Sequence, residues 1–367
     1  MCGAPGGQNH GHSGSHRWSN EDFTTAATLC LSDNLLSNTT TKLPRSLKCR
    51  TRAMALAVVS ASCQVLRGTT GIFTSQSASL LWRAPALCAC TLNRRKMTSQ
   101  RKTDHLERTA NTFRQEIISP AKVCGLTNES ATVKRVRLAV ENSEFTFKAG
   151  QWVDFFVPGV SVVGGFSICS SPGLLERERV LELAVKNNLH PPAHWIHSQC
   201  ALGSEVALRV GGEFFFDPQE SDSPVNLVLI AGGVGINPLF SILLHVADLH
   251  KTLETTGKGF QMGSVKLYYS AKNTSELLFK KNILNLMQSF PGKVTCNFHV
   301  TQQSSPVCPE LQPFITEGRI SENHLANNVS SDHLCYICGP PPMIESMCKQ
   351  LEDLLVPREQ IFFEKWW

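Results

Sequence analysis

Residues 132–140, TVKRVRLAV, set Val136, Leu138 and Val140 against Arg135 and Arg137. A period of two puts the apolar side chains on one face of an extended chain and predicts a half-buried strand. Comparable segments follow at 151–158, 164–170, 179–186 and 205–216. They are parted by Pro158-Gly159, Pro172-Gly173, Pro191-Pro192 and Gly211-Gly212. Many short strands with Gly and Pro punctuation predict a small antiparallel barrel.

After the polar, proline-flanked stretch 217–224, DPQESDSP, the rhythm changes. NLVLIAGG (226–233) is continuously apolar, the mark of a strand buried on both faces. NPLFSILLHVADLH (237–250) has helical periodicity, and VKLYYSA (265–271) reads as a strand. Asn273 with Glu276 three residues on predicts a capped helix running through ELLFKKNILNLMQSF. Strands are expected at 294–300, 333–339 and 360–366, and an amphipathic helix at 342–355. Alternating β and α segments predict a doubly wound parallel sheet.

The chain has 367 residues and a formal net charge of +5, enough length for two domains and a tail. The basic surplus is local. No Asp or Glu lies between Asp33 and Asp104, while bases run from Lys42 to Lys102. The charge therefore describes this stretch and argues against nucleic acid as a partner. An arginine- and serine-rich, acid-poor segment from Met54 to about Lys96 predicts a mitochondrial transit peptide. Its longest apolar run, Met54 to Val59, falls far short of the roughly 20 residues of a membrane span. Residues 1–53 read as disordered and 54–107 as transit peptide and linker. The barrel is expected over 108–219 and the α/β domain over 220–367. Fourteen cysteines without repeated spacing fit reduced thiols rather than a disulfide framework.

Three motifs carry chemistry. In AGGVGINP a buried strand ends in Gly232, Gly233, Val234 and Gly235, and after Ile236 a helix starts at Asn237 and Pro238. Glycines let a phosphate approach the backbone, and the helix N-terminus offers free N–H groups. The spacing is not GxGxxG, so a plain tight turn is the alternative. CGPPPM places Cys338, Gly339, Pro340 and Pro341 at the end of another strand, at the sheet edge where α/β ligands bind. Cys335 and Cys338 share CxxC spacing, but strand periodicity points them to opposite faces. The chain ends FFEKWW, and Trp367 suits either a flat stack on an aromatic ring or a cover for the core. His190, His194 and His197 have helical spacing, yet no carboxylate or cysteine completes a metal set.

This order of motifs, with GGFS before AGGVGINP, CGPPPM and a terminal aromatic, resembles the ferredoxin–NADP⁺ reductase-like flavoproteins over about residues 113–367. The resemblance implies an FAD-binding barrel followed by an NAD(P)-binding α/β domain. It implies hydride transfer from NAD(P)H to FAD, with electrons passing on to an unnamed acceptor. By the same resemblance, Phe166 packs on the flavin and the Ser167 hydroxyl bonds near its N5. Gly232 to Asn237 hold the nicotinamide cofactor's pyrophosphate, and Pro238 follows in the helix. Cys338 to Pro341 flank the nicotinamide. Trp367 shields the flavin, and Glu364 assists hydride transfer or shapes the pocket. Lys272 stands where relatives sense the adenosine ribose.

Two positions depart from the family pattern. Gly164 stands where an arginine pairs with the flavin diphosphate, and His190-Pro-Pro-Ala193 replaces a G-x-x-[ST] phosphate turn. Lys186, at the end of the preceding strand, is the expected substitute cation. The rival reading is a non-catalytic nicotinamide-nucleotide-binding module, or an electron-transfer subunit, that has lost tight flavin binding.

Overall fold

A computed structural model describes residues 104–365. The expectations for the extension, the transit peptide and Trp367 lie outside these residues. Ten-residue and shorter strands build the first half: β1 (Ser119–Asn128), β2 (Val133–Ala139), β3 (Trp152–Phe156), β4 (Gly164–Ser167), β5 (Val180–Lys186) and β6 (Glu205–Gly211). Their antiparallel order is β4-β3-β6-β1-β2-β5, and an Ile168–Leu183 bridge joins the two ends into a barrel. Short helices decorate it: α1 (His105–Arg108), α2 (Pro172–Glu178) and α3 (Pro191–Ser198). The interior is apolar, with Val136, Leu138, Phe155, Leu183, Ile196 and Leu208 fully buried.

The second half is a parallel sheet, again as the pattern predicts. It holds β7 (Asn226–Gly232), β8 (Val265–Ala271), β9 (Val294–Val300), β10 (Ile315–Glu317), β11 (His333–Gly339) and β12 (Ile361–Lys365). The order is β10-β9-β8-β7-β11-β12, so the chain reverses its direction of travel between β7 and β11. Ligands in open α/β sheets bind in the crevice at such a switch point. Both faces are covered. Helix α4 (Ile236–Thr256) packs with Leu229, Ala231 and Tyr336 on one side, and α7 (Pro341–Asp353) with Ile230, Cys335 and Ile337 on the other.

Several boundaries differ from the sequence pattern. The predicted strand 205–216 stops at Gly211. Gly212 has φ +103, and its missing Cβ leaves room for the Trp152 indole. The predicted helix from Asn273 breaks into a 3-10 turn over Thr274–Glu276 and then α5 (Lys280–Ser289). Asn273 does cap the turn, accepting from the Ser275 and Glu276 N–H groups, but Phe279 at φ +56 interrupts the helix. Strand β1 is an addition, with the alternation of Ala121, Lys122 and Val123 running between Pro120 and a bulge at Gly125. Between β9 and β11, α6 (Glu322–Leu325) is a single turn with a Ser321 capping box.

The two halves meet through directed polar contacts as well as apolar packing. Ser241 Oγ donates to the Ser170 carbonyl at 2.6 Å, and Ser171 Oγ to Asp248 Oδ2 at 2.7 Å. Tyr336 OH donates to the Phe215 carbonyl at 3.1 Å, and Thr132 Oγ1 to Glu276 Oε2 at 2.7 Å. No helix of the described residues is long and apolar enough to cross a membrane.

Candidate nicotinamide site at the sheet switch point

Four glycines shape the crevice, and they do different jobs. A Cβ on Gly235 would lie 2.3 Å from the Cys338 carbonyl oxygen. One on Gly232 would lie 2.7 Å from Met343 Sδ and 2.9 Å from Pro340 Cδ, and one on Gly339 would meet Met343 Cε at 2.6 Å. These three let the ends of β7 and β11 close on each other. Gly233 alone has nothing within 4 Å of its added Cβ, and it sits at φ +56. That left-handed conformation turns the backbone out of β7 into a 3-10 turn, Gly233–Gly235, which runs straight into α4. The first N–H groups of a helix have no intrahelical partner and form an anion seat with its positive dipole end. Pro238 sits in this first turn, where its missing N–H costs nothing.

The side chains around the turn are committed. Asn237 does not face outward. Its Nδ2 donates to the Ala184 carbonyl of β5 at 2.7 Å, fully buried, and Oδ1 has no partner. Its amide ties the α/β half to the barrel. Ile236 is fully buried in the core, and Val234 packs against it part-exposed. Across the switch point, Pro340 caps α7 and Pro341 is its first residue, a rigid wall at the end of β11. Cys338 is fully buried and pairs in register with Ala231 and Glu364. Burial pushes its thiol well above the ordinary range, and the Glu364 charge adds to this. It is a neutral wall rather than a nucleophile. Cys335 lies in the opposite core layer, as strand periodicity predicts. Lys272 is exposed at the end of β8, the strand next to β7.

On the barrel side, Ser167 closes β4, 7% exposed, and its hydroxyl makes no hydrogen bond with a described residue. Phe166 is half-buried, its ring edge-on to Phe155 at 5.4 Å. Lys186 is exposed at the end of β5, two residues past the Ala184 tie. Three residues beyond Ser167, Ser170 accepts the bond from α4 that fixes β4 against the second half.

Sequence reasoning missed a cavity of about 450 Å³ next to this cleft, lined by His105, Arg108, Trp152, Phe214, Phe363 and Glu364 among others. One of its lining residues, His105, belongs to a buried ionic knot behind it. Asp154 accepts from His105 Nε2 at 2.8 Å, Arg114 Nε at 2.9 Å, and Arg209 Nε and Nη2 at 2.8 and 2.6 Å. Burial alone would raise the Asp154 carboxyl, but the bonds from His105 and Arg114 and the charges of Arg114 and Arg209 outweigh it and hold it low. Nothing in a single turn such as α1 signals this role in sequence, because its partners are 40 or more residues away. Among the described residues no group of three or more His, Cys, Asp or Glu could hold a metal.

An antiparallel barrel followed by a parallel sheet with a glycine turn at its switch point is the fold of the ferredoxin–NADP⁺ reductases. A ferredoxin NADP⁺ reductase from Neisseria gonorrhoeae with bound FAD and NADP shares this fold. It superposes with a TM-score of 0.55 at 17% identity, covering 68% of this chain and 99% of that one. The oxidoreductase NAD-binding domain family matches residues 229–349. Oxidoreductase NAD-binding domain-containing protein 1 of Xenopus laevis is 81% identical over 314 residues, 86% of this chain and 100% of the relative. Its Homo sapiens counterpart is 59% identical over 303 residues, 83% and 97%. The chain belongs to the oxidoreductase NAD-binding domain-containing protein 1 family.

Proposed function

We propose that the protein is an NAD(P)H oxidoreductase that binds a reduced nicotinamide dinucleotide across the carboxyl ends of β7 and β11. The observation that carries this reading is the open Gly233 turn at the head of α4, flanked by glycines that leave no other room. The dinucleotide diphosphate rests on the N–H groups of Gly233, Val234 and Gly235 and on the helix end, where charge-assisted bonds are strongest. Lys272 lies on the adenosine side. Cys338, Gly339 and the proline turn bound the nicotinamide and keep water from one face of it. Glu364, in register with Cys338, stands on the next strand toward the cavity, and Trp367 follows three residues on.

The ring and diphosphate ends of a flavin nucleotide test differently against this chain. The Ser167 hydroxyl is available at the barrel wall, and Phe166 offers an aromatic edge. A flavin ring there supplies a hydride acceptor that can release electrons to a partner molecule. The diphosphate of FAD does not fit in the family's manner. A Cβ on Gly164 would lie 2.7 Å from Phe166 Cε2 and 2.9 Å from Pro192 Cβ, so no cation reaches the seat from there. No step is therefore assigned to a diphosphate-clamped FAD. By its leader composition, the mitochondrion is the proposed compartment.

The test is titration of purified protein with NADH and NADPH, followed by NAD(P)H oxidation with added flavin and an artificial acceptor. Micromolar nicotinamide binding with flavin-dependent oxidation is the expected result. No nicotinamide binding removes the proposal. The alternative, a nucleotide-binding module without redox turnover, is favoured by the filled Gly164 site. Tight NADH binding without oxidation under any added flavin selects it.

A further inference from the structure

The flavin side of the cleft lacks a diphosphate clamp in three separate places. At Gly164 the space is taken by the Phe166 ring and Pro192. Helix α3 starts with Pro191 and Pro192, neither of which has an N–H, and its N-cap His190 makes no side-chain capping bond. The His194 N–H is spent on the His190 carbonyl at 2.9 Å. That leaves the Ala193 N–H as the only orphan donor of the first turn, on a residue 1% exposed. The loop before α3 presents Leu189, 94% exposed, and no cation after Lys186. A helix end that binds a phosphate does so with several free N–H groups, and this one has been stripped of them.

Lys186 on the preceding strand and Arg108 of α1, whose charge acts on His190 at the helix start, are the cations near this end. Both are exposed, and a solvated ion pair contributes little. By contrast, the groups that meet a flavin ring are intact. Ser167 is buried with its hydroxyl unspent, and β4 is fixed by its pairing with β3 and by the Ser170–Ser241 bond.

We infer that this chain takes a flavin by its isoalloxazine and ribityl end alone, leaving phosphate and adenosine unclamped, so that riboflavin, FMN and FAD are equivalent, exchangeable ligands. The inference rests on the proposed function, because it names the form of flavin that the same cleft accepts. It makes the flavin a dissociable ligand instead of a resident prosthetic group.

The test is calorimetric titration of the full chain with riboflavin, FMN and FAD, with NADH titrated in parallel. Dissociation constants for the three flavins that agree within about fivefold support the inference, five being what one exposed ion pair can add. Ser167→Ala then weakens all three by the same factor. Lys186→Ala weakens FMN and FAD by no more than about fivefold and leaves riboflavin unchanged. FAD binding more than about 100-fold tighter than riboflavin, the mark of several charge-assisted phosphate bonds, overturns the inference and leaves the oxidoreductase reading intact. Absence of binding by every flavin, with NADH still bound, overturns both the inference and flavin as hydride acceptor. Absence of NADH binding brings down the nicotinamide site itself.

Discussion

Two glycine pairs, one in each half of the described chain, serve opposite ends. In Gly232-Gly233 at the end of β7, one glycine makes room for Met343 and Pro340 at the head of α7 and the other is left open at φ +56. In Gly164-Gly165 on β4, both are covered by the protein itself. Phe166 and Pro192 close on Gly164, and the His105 ring lies 2.2 Å from where a Gly165 Cβ would be. The first pair makes room for a ligand and the second makes room for side chains. A glycine in a sequence announces close approach, and only the fold says what approaches.

The largest expected effect comes from forcing the turn that the first pair leads into. Gly235→Val drives a Cβ into the Cys338 carbonyl, and backbone cannot move aside as a side-chain tip can. The expected loss is about 3 kcal/mol of stability, read from a denaturation midpoint, together with loss of NADH binding. On the barrel, Gly165→Ala displaces the His105 ring from the Asp154 knot. Stability falls by about 2 kcal/mol, visible as a lower melting temperature, while NADH affinity stays constant. If Gly165→Ala also abolished NADH binding, the two pairs would not be independent.

Acid separates the halves in a second way. His299 is fully buried on β9, neither ring nitrogen has a partner, and burial, with a smaller effect from the His324 charge, lowers it from 6.5 to about 4. Between those values the unfolded chain binds a proton that the folded one refuses, so stability falls as pH drops from 6.5 toward 4. Asp154 is held below its ordinary 3.8, so the stability it gives is present above that pH and is lost only in stronger acid. Melting temperature measured from pH 7 to 4.5 should decline, and His299→Phe should flatten part of that decline. A smaller effect is expected at Lys272. Its replacement by Ala should weaken NADPH by about threefold and leave NADH unchanged, if the lysine meets a 2′-phosphate.

How far these features were legible in the sequence follows from what each one depends on. The parallel strand at 226–232 read correctly because both its faces are buried and its apolar run is continuous, while those at 265–271, 294–300 and 333–339 carry polar residues among short β-prone runs. The helix predicted from Asn273 failed at Phe279, whose left-handed backbone no periodicity announces. The glycine turn was visible as a motif because its strand, turn and helix are contiguous. Its internal division of labour was not, since Gly235 meets Cys338 and Gly232 meets Met343 from a hundred residues away. Asn237 shows the same limit. It reads as a phosphate neighbour in the motif, and in the fold its amide is spent on Ala184. The missing arginine at Gly164 was legible, but not that Pro192 and Phe166 had filled its place.

The most direct test of the account is NADH affinity in Gly233→Asp. The position is sterically open, and Asp tolerates the left-handed backbone at a cost of about 1 kcal/mol, so the fold survives. A carboxylate in the phosphate seat is predicted to weaken NADH at least thirtyfold, about 2 kcal/mol, with far-ultraviolet circular dichroism unchanged. An NADH dissociation constant equal to that of the native chain would contradict the placement of the dinucleotide at this turn.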